Sequence, residues 1–375
     1  GHLARHPWAY TIGVTAVLLA LTAPVLSLRL GFPDEGTAPE SRTERRAYDL
    51  AASGFGPGIN GPMVIAVDLG DGGADVVESL AAAVAADPGI AAVAPPEVNA
   101  GAGVASIVAL PTTKPQDDAT WATVERLRAD VLPAVLAGTG AEAHVGGQAA
   151  TFGDAAERIG GRLPWFIAAV VVLSFLLLMV VFRSILVPLK AALLNLLSIG
   201  AAYGVLVMVF QWGWGKELIG LEATVPIVSF IPLFMFAVLF GLSMDYEVFL
   251  LSRVREEYAA TGDNGEAVVA GLAGTARVIT SAALIMISVF AGFVLGDDPI
   301  VKMMGLGLAV AILVDATVIR VVLVPATMTL LGEANWWLPR WLDRILPAID
   351  IDGGTGTEVG TGTEVGTGTE VGTGV

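Results

Sequence analysis

Six long apolar runs, separated by polar stretches, dominate the pattern of residues along this chain. A helix rises about 1.5 Å per residue, so about 20 apolar residues cross the hydrocarbon layer of a bilayer. We therefore predict membrane-spanning helices at residues 8–28, 163–182, 186–210, 227–252, 276–295 and 300–323. The first run resembles a secretory signal peptide, but its length and its poor cleavage site favour a retained helix within residues 8–30.

The stretch between the first two spans, residues 31–160, has the shorter patterns of a soluble α+β domain. Apolar alternation with β-branched residues predicts strands, and apolar spacings of three and four predict helices. We expect strands at 63–69, 90–98, 103–111 and 141–147, and helices at 41–53, 75–87 and 117–136. After the opening helix the order is β-α-β-β-α-β, which is that of a ferredoxin-like domain.

The rest of the chain divides into a bundle and a tail. A five-helix transmembrane bundle is predicted over residues 161–345, and its polar segment at 253–274 is expected to form an amphipathic surface helix. Residues 346–375 form a low-complexity tail in which the unit GTGTEV recurs. The tail has no apolar face to bury, so we predict that it is disordered and assign it no role.

Composition narrows the possible functions. The chain is 55% hydrophobic and has no cysteine, which indicates a polytopic membrane protein without disulfides or thiolate chemistry. Its formal charge is −16, and residues 31–160 contain 18 Asp and Glu against 7 Lys and Arg. So acidic a domain argues against nucleic acid as a partner. His144 has no second metal ligand nearby and no catalytic spacing is evident, so we expect no enzyme activity, no metal and no cofactor.

Basic residues orient the spans, because cytoplasmic loops carry an excess of Lys and Arg. With six spans counted, one side of the membrane receives Arg5, Arg183, Lys190, Arg253, Arg255, Arg277, Arg340 and Arg344. We therefore predict a multi-pass protein of the plasma (inner) membrane. Both termini are expected in the cytoplasm, and the acidic domain at 31–160 is expected outside.

The fourth run contains an ionisable pair, Asp245 and Tyr246, well inside its apolar residues. Asp245 precedes Arg253, the expected inner boundary, by about 12 Å of helix. A carboxyl at that depth costs about 2.5 kcal/mol or more, which indicates a functional group such as a proton carrier. A helix end near the headgroups, or a buried structural hydrogen bond, is the alternative. Glu247 is a second candidate carboxylate, expected closer to the polar edge.

Polar residues of other spans fall at similar depths. Counted from the basic residue near each inner end, they are Asn195, Ser198, Ser281, Ser288 and Asp315. Such a layer could relay protons, with Asp315 and Ser288 as candidates beside the Asp–Tyr pair. Alternatively, the serines and the asparagine only join helices. Asp315 could pair with Arg320, but at 100° per residue the two point about 140° apart, so we expect a direct contact to be strained.

The motif GLSMDYEVFLLSRVREEY at 241–258 resembles a motif of the resistance-nodulation-division (RND) transporters. More narrowly, it is similar to the MMPL family, the large mycobacterial-type membrane proteins. TARVITSAALIMISVFAGF at 275–293 and GLGLAVAILVDATVIRVVLVPA at 305–326 support this resemblance, which covers nearly all of residues 1–345. It implies an RND half-transporter fold: an α-helical membrane protein of six transmembrane helices with an extracytoplasmic α+β ferredoxin-like domain.

The resemblance also implies a mechanism. Asp245 and Tyr246 match the family's proton-relay pair, and the family exports lipids, glycolipids or other hydrophobic molecules with the proton gradient. Family members carry two such halves in one chain, and this chain is most similar to the second. We therefore expect it to be part of a longer protein, or to pair with a second transporter half or another copy. Membrane lipids and a hydrophobic substrate are the other expected partners.

Two rival functions stay open on the sequence. A relative within the superfamily could serve protein translocation or sterol sensing, with the same helices and a different cargo. A non-transporting membrane receptor or scaffold would use Asp245 only as a structural group.

Overall fold

The computed structural model describes residues 5–70 and 73–345, so the predicted tail at 346–375 lies outside the described residues. Within this part of the chain, six helical segments are long and apolar enough to cross a membrane. They run over Pro7–Ser27, Gln148–Phe182, Leu186–Gln211, Phe230–Thr261, Asn264–Val294 and Pro299–Trp336. The chain is thus a multi-pass membrane protein, and the prediction of six spans is confirmed.

The described α-helices of eight residues or more are numbered α1 to α10, and the strands β1 to β7. The helices are α1 (Pro7–Thr22), α2 (Thr43–Phe55), α3 (Asp75–Ala85), α4 (Asp118–Arg126), α5 (Gln148–Phe182), α6 (Leu186–Leu206), α7 (Phe230–Thr261), α8 (Asn264–Val294), α9 (Pro299–Leu313) and α10 (Val324–Leu331). The strands are β1 (Leu30–Gly31), β2 (Met63–Asp68), β3 (Ile90–Val93), β4 (Glu97–Asn99), β5 (Val104–Pro111), β6 (Glu142–Gly147) and β7 (Ile227–Val228).

An antiparallel sheet forms the centre of the region between α1 and α5. Its spatial order is β3-β5-β2-β6, and β4 also pairs with β5. Strand β2 alternates as predicted, because Met63, Ile65 and Val67 are buried in one core with residues of α3 and α4 while the residues between them are exposed. The strand predicted at 90–98 is split into β3 and β4, since Pro95 and Pro96 have no backbone N–H to donate to a ladder.

Two features connect this α+β region to the bundle. Helix α5 begins at Gln148 and runs without interruption into the second span. The short strands β1 and β7 pair in parallel, and Ser229 donates to the Gly31 carbonyl from its N–H at 3.0 Å and from its hydroxyl at 3.1 Å. The end of the first span and the start of the fourth are thereby held together.

The predicted amphipathic surface helix at 253–274 is wrong. Helix α7 continues to Thr261, and α8 begins three residues later at Asn264. Gly262 ends α7 with a φ of 71°, a left-handed conformation that favours glycine. Asp263 then caps α8, because its carboxylate accepts the N–H groups of Gly265 and Glu266. The polar residues of this segment therefore extend two membrane helices instead of forming a third.

Helix α6 lies in the middle of the bundle, with most of its residues buried. Gly204 allows the first span to pack directly against it, since a Cβ atom at this position would lie 1.7 Å from the Leu21 carbonyl oxygen. The packing around α6 places its polar side chains next to those of α7 and of the sixth span.

Candidate functional site

The sixth span changes its helical geometry where its charged residues lie. Between α9 and α10, residues Val314–Leu323 are π-helical, so backbone hydrogen bonds join residues i and i+5. This geometry puts Asp315 and Arg320 on the same side, and Arg320 Nη2 donates to Asp315 Oδ2 at 2.9 Å. The expectation of a strained contact across 140° was wrong, because it assumed α-helical spacing.

Two further helices complete a buried polar cluster, defined here as Asp315, Arg320, Ser243 and Asn195. Ser243 Oγ, on α7, lies 3.1 Å from Asp315 Oδ1 and 2.6 Å from Asn195 Oδ1 on α6. Arg320 Nη2 also donates to the Ser243 carbonyl oxygen at 3.1 Å. All four residues are buried, so these polar contacts form in surroundings of low dielectric, where they are stronger than in water.

Tyr246 lies beside the polar cluster. The Arg320 guanidinium carbon is 5.2 Å from the centre of the Tyr246 ring, a cation–π distance. The phenol hydroxyl is 3.7 Å from Met286 Sδ, which is a weak acceptor. Tyr246 and all four cluster residues line a small cavity of about 20 Å³. This is room for about one water molecule. Tyr246 and Asp315 thus line the same small cavity.

Asp245 lies on the opposite side of α7 from the polar cluster. Two residues correspond to about 200° of helix, so Ser243 and Asp245 point apart. Asp245 belongs to a stripe of exposed residues that also contains Phe234, Ala237, Gly241 and Phe249. The described part of the chain leaves this stripe uncovered. The structure therefore does not bring Asp245 into contact with Asp315.

Ser288 is also exposed, on α8. Its hydroxyl donates to the Leu284 carbonyl oxygen at 2.7 Å, a bond within its own helix. Of the four predicted relay residues, the structure brings together Tyr246 and Asp315, and it leaves Asp245 and Ser288 on exposed faces. Their roles in a relay stay predictions.

Three buried residues were missed or misjudged from the sequence. Ser243 was not singled out, Glu247 was expected near the polar edge but is 3% exposed, and Lys190, taken as a boundary residue, is 7% exposed. The signal was available in α7, where large apolar residues recur every three or four positions. Ser243 and Glu247 lie on that buried stripe, and Asp245 lies outside it.

The chemistry available in the bundle is that of carboxyl, phenol and guanidinium groups. Among the described residues, no group of three His, Cys, Asp or Glu side chains could hold a metal ion. Carboxyl and phenol groups bind and release protons, so proton transfer is the reaction that this arrangement fits.

Comparison with known proteins gives a family match over most of the chain. The model of the MMPL family matches residues 67–347. The chain is 42% identical over 358 residues to the heme uptake protein MmpL11 of Mycobacterium tuberculosis, and 40% identical over 359 residues to the mycolic acid-containing lipids exporter MmpL11 of Mycolicibacterium smegmatis. Each alignment covers 94% of this chain and 37% of the relative.

A third relative matches a shorter stretch. The trehalose monomycolate exporter MmpL3 of Mycolicibacterium smegmatis is 39% identical over 216 residues, which is 58% of this chain and 21% of the relative. The chain thus spans less than half the length of these three curated relatives.

Proposed function

The chain belongs to the MMPL family, and we propose that it is one half of a transporter that exports lipids or other hydrophobic molecules across the plasma membrane, driven by the proton gradient. A second transporter half or another copy of this chain supplies the other side. The relatives named as exporters of mycolic acid-containing lipids and of trehalose monomycolate support the cargo class and the direction. Heme uptake, the function in the name of the Mycobacterium tuberculosis relative, is the competing direction and cargo.

The polar cluster carries this proposal. A buried ion pair is seldom worth more to stability than well-packed apolar residues, so an Asp315–Arg320 pair between membrane helices favours a functional role. Protonation of Asp315 would remove one charge, weaken its contact with Arg320 and change the packing of α6, α7 and the sixth span. Such a two-state repacking is how a local proton event becomes a movement of the outer domain.

The exposed stripe of α7 supports the proposal that a second transporter half, or another copy of this chain, packs there. A carboxyl that faced lipid would cost about 2.5 kcal/mol or more, so we infer that another protein surface covers Asp245. At that interface the Asp245 carboxylate would bind the proton, and Tyr246 would transfer it into the cavity that it lines together with Asp315. Ser288, exposed on the neighbouring helix α8, would join the relay from the same interface.

The proposed orientation puts the α+β region outside and both termini in the cytoplasm. The excess of basic residues at the opposite ends of the spans supports it. The sheet order β3-β5-β2-β6 and the two crossing helices α3 and α4 support a ferredoxin-like outer domain. Movement of this domain against its counterpart would carry the hydrophobic cargo.

The test is transport by the complete assembly in proteoliposomes with an imposed proton gradient and a fluorescent lipid as cargo. Asp245→Asn should abolish gradient-driven export while leaving expression and thermal stability unchanged, because the amide has a similar shape and binds no proton. Asp297→Asn is the matched control, since Asp297 is exposed in a loop.

Full gradient-driven export by Asp245→Asn would refute the proton relay. If the parent assembly moved no lipid, with or without the gradient, the scaffold would be favoured, and gradient-driven movement inward would show that the proposed direction is wrong. A peptide or sterol cargo in place of lipid would favour the protein-translocation or sterol-sensing relatives.

A further inference from the structure

Glu247 and Lys190 are two buried residues of the bundle whose side chains are of opposite charge type. Glu247 on α7 is 3% exposed and Lys190 on α6 is 7% exposed. Among the described residues, Glu247 Oε1 and Lys190 Nζ have no hydrogen-bond partner, and the two groups form no ion pair within 4.0 Å, although their charges interact. Neither charge is therefore met by a direct contact with the other.

Their position connects them to the polar cluster. Glu247 lies one helical turn after Ser243, whose hydroxyl contacts Asp315, and its charge interacts with those of Asp315 and Arg320. Lys190 lies in the second turn of α6, which starts three residues after Arg183 at the end of α5. The pair therefore lies between the polar cluster and the bundle end that carries Arg183.

Two other ion pairs of the bundle are in direct contact. Arg320 contacts Asp315 at 2.9 Å, and Arg183 contacts Asp343 at 2.6 Å. Buried charges that lack direct partners are expensive, and polar groups that do not meet directly can be bridged by water. The absence of a direct contact between Glu247 and Lys190 thus suits a path for protons better than a structural ion pair.

We propose that Glu247 and Lys190 form the inner exit of the proton path. The inference rests on the proposed function above. A proton released by the Asp315 carboxyl passes through water to the Glu247 carboxylate, which becomes neutral. Glu247 then releases that proton to water on the inner side, and the Lys190 ammonium nearby stabilises the returning carboxylate. One proton is taken up and one is released, and no other bond changes.

The test uses the complete assembly in proteoliposomes and a fluorescent lipid, with two readouts. Gradient-driven export reports the proton path, and lipid exchange without a gradient reports cargo binding and movement. Glu247→Gln should lower gradient-driven export at least tenfold and leave exchange within twofold. Lys190→Met should also keep exchange, but its export should require a more alkaline inner compartment. Glu256→Gln, an exposed change on the same helix, should alter neither readout.

The outcomes separate the two proposals. If Asp245→Asn abolishes gradient-driven export and Glu247→Gln retains it fully, the exit is wrong and the proposed function stands. If both variants export at the parent rate, the proposed function itself fails. Should either single variant misfold, the double variant Lys190→Met/Glu247→Gln removes both charges together and is expected to fold. Parent-like gradient-driven export by that double variant would overturn the exit, and export lost with exchange retained would support it.

Discussion

Buried acidic residues occur in both the α+β region and the bundle, but their surroundings differ. In the α+β region, Asp87 accepts two hydrogen bonds from Arg126, at 2.6 and 2.7 Å, and a third from the Gly89 N–H at 2.8 Å. In the bundle, Asp315 is bound by one nitrogen of Arg320, and the other terminal nitrogen, Nη1, is buried without a partner among the described residues.

The difference agrees with the role proposed for the Asp315–Arg320 pair. The bidentate bond from Arg126 lowers the pKa of Asp87 from its ordinary 3.8, so that the carboxylate stays charged and acts as a clamp. The Asp315–Arg320 pair lies between apolar helices and leaves donor capacity unused. A buried pair that is only partly satisfied lies closer to the balance between two arrangements, which suits a switch.

The largest expected effect comes from Arg320→Met, which leaves Asp315 buried without its cation. Removing one partner of a buried pair typically costs about 3–5 kcal/mol of stability. Thermal unfolding in detergent should show this loss, and the double variant Asp315→Asn/Arg320→Met should regain most of it. Arg253→Met is the control, because Arg253 is exposed and should change stability little. Parent-like stability of Arg320→Met would mean that Asp315 does not depend on this cation, and the comparison would fail.

A smaller loss is expected for the clamp. Asp87→Asn removes the charge from the bonds to Arg126 and should destabilise the α+β region by about 1.5–3 kcal/mol, with proton coupling of transport unchanged. Because the pKa of Asp87 is lowered in the folded protein, its contribution is complete above about pH 4 and is lost as the pH falls through the lowered value.

Unfolding of the parent and of Asp87→Asn should therefore converge on acidification. Chemical denaturation between neutral and strongly acidic pH measures this convergence. Asp118→Asn, in an exposed pair with Arg29, is the matched control and should cost at most about 1 kcal/mol. A gap between parent and Asp87→Asn that stays constant with pH would show that Asp87 stabilises the fold in some other way.

The sequence predicted the frame of the molecule well and its polar cluster poorly, for physical reasons. Spans and strands follow from local apolar periodicity, which is why the six spans and β2 were found. The contact of Asp315 with Arg320 depends on a π-helical segment, which a 3.6-residue period does not reveal. The outward direction of Asp245 was readable from the stripe on α7, but the second surface proposed to cover it could not be read from this sequence.

The smallest expected effect concerns Asp34, a partly buried carboxyl of the α+β region that is held without a cation. It accepts hydrogen bonds from the Tyr48 hydroxyl at 2.9 Å, from Gln116 Nε2 at 2.9 Å and from the Gly36 N–H at 3.0 Å. Burial raises the pKa of Asp34, and the bond from Tyr48 opposes that rise. Asp34 thus shows that a carboxyl can be satisfied here by neutral donors alone.

Tyr48→Phe removes one of those donors and should cost about 1 kcal/mol while raising the pKa of Asp34 further. The loss should be complete above that pKa and should shrink as the pH falls through it, because a protonated carboxyl needs the phenol less. Carboxyl titration by NMR and denaturation at several pH values measure the two effects. Tyr258→Phe is the control, since that ring stacks on Trp336 and its hydroxyl makes no hydrogen bond within the described residues. If Tyr48→Phe leaves the pKa of Asp34 unchanged, the Tyr48 hydroxyl does not stabilise this carboxylate, and the contrast with Asp315 is weakened.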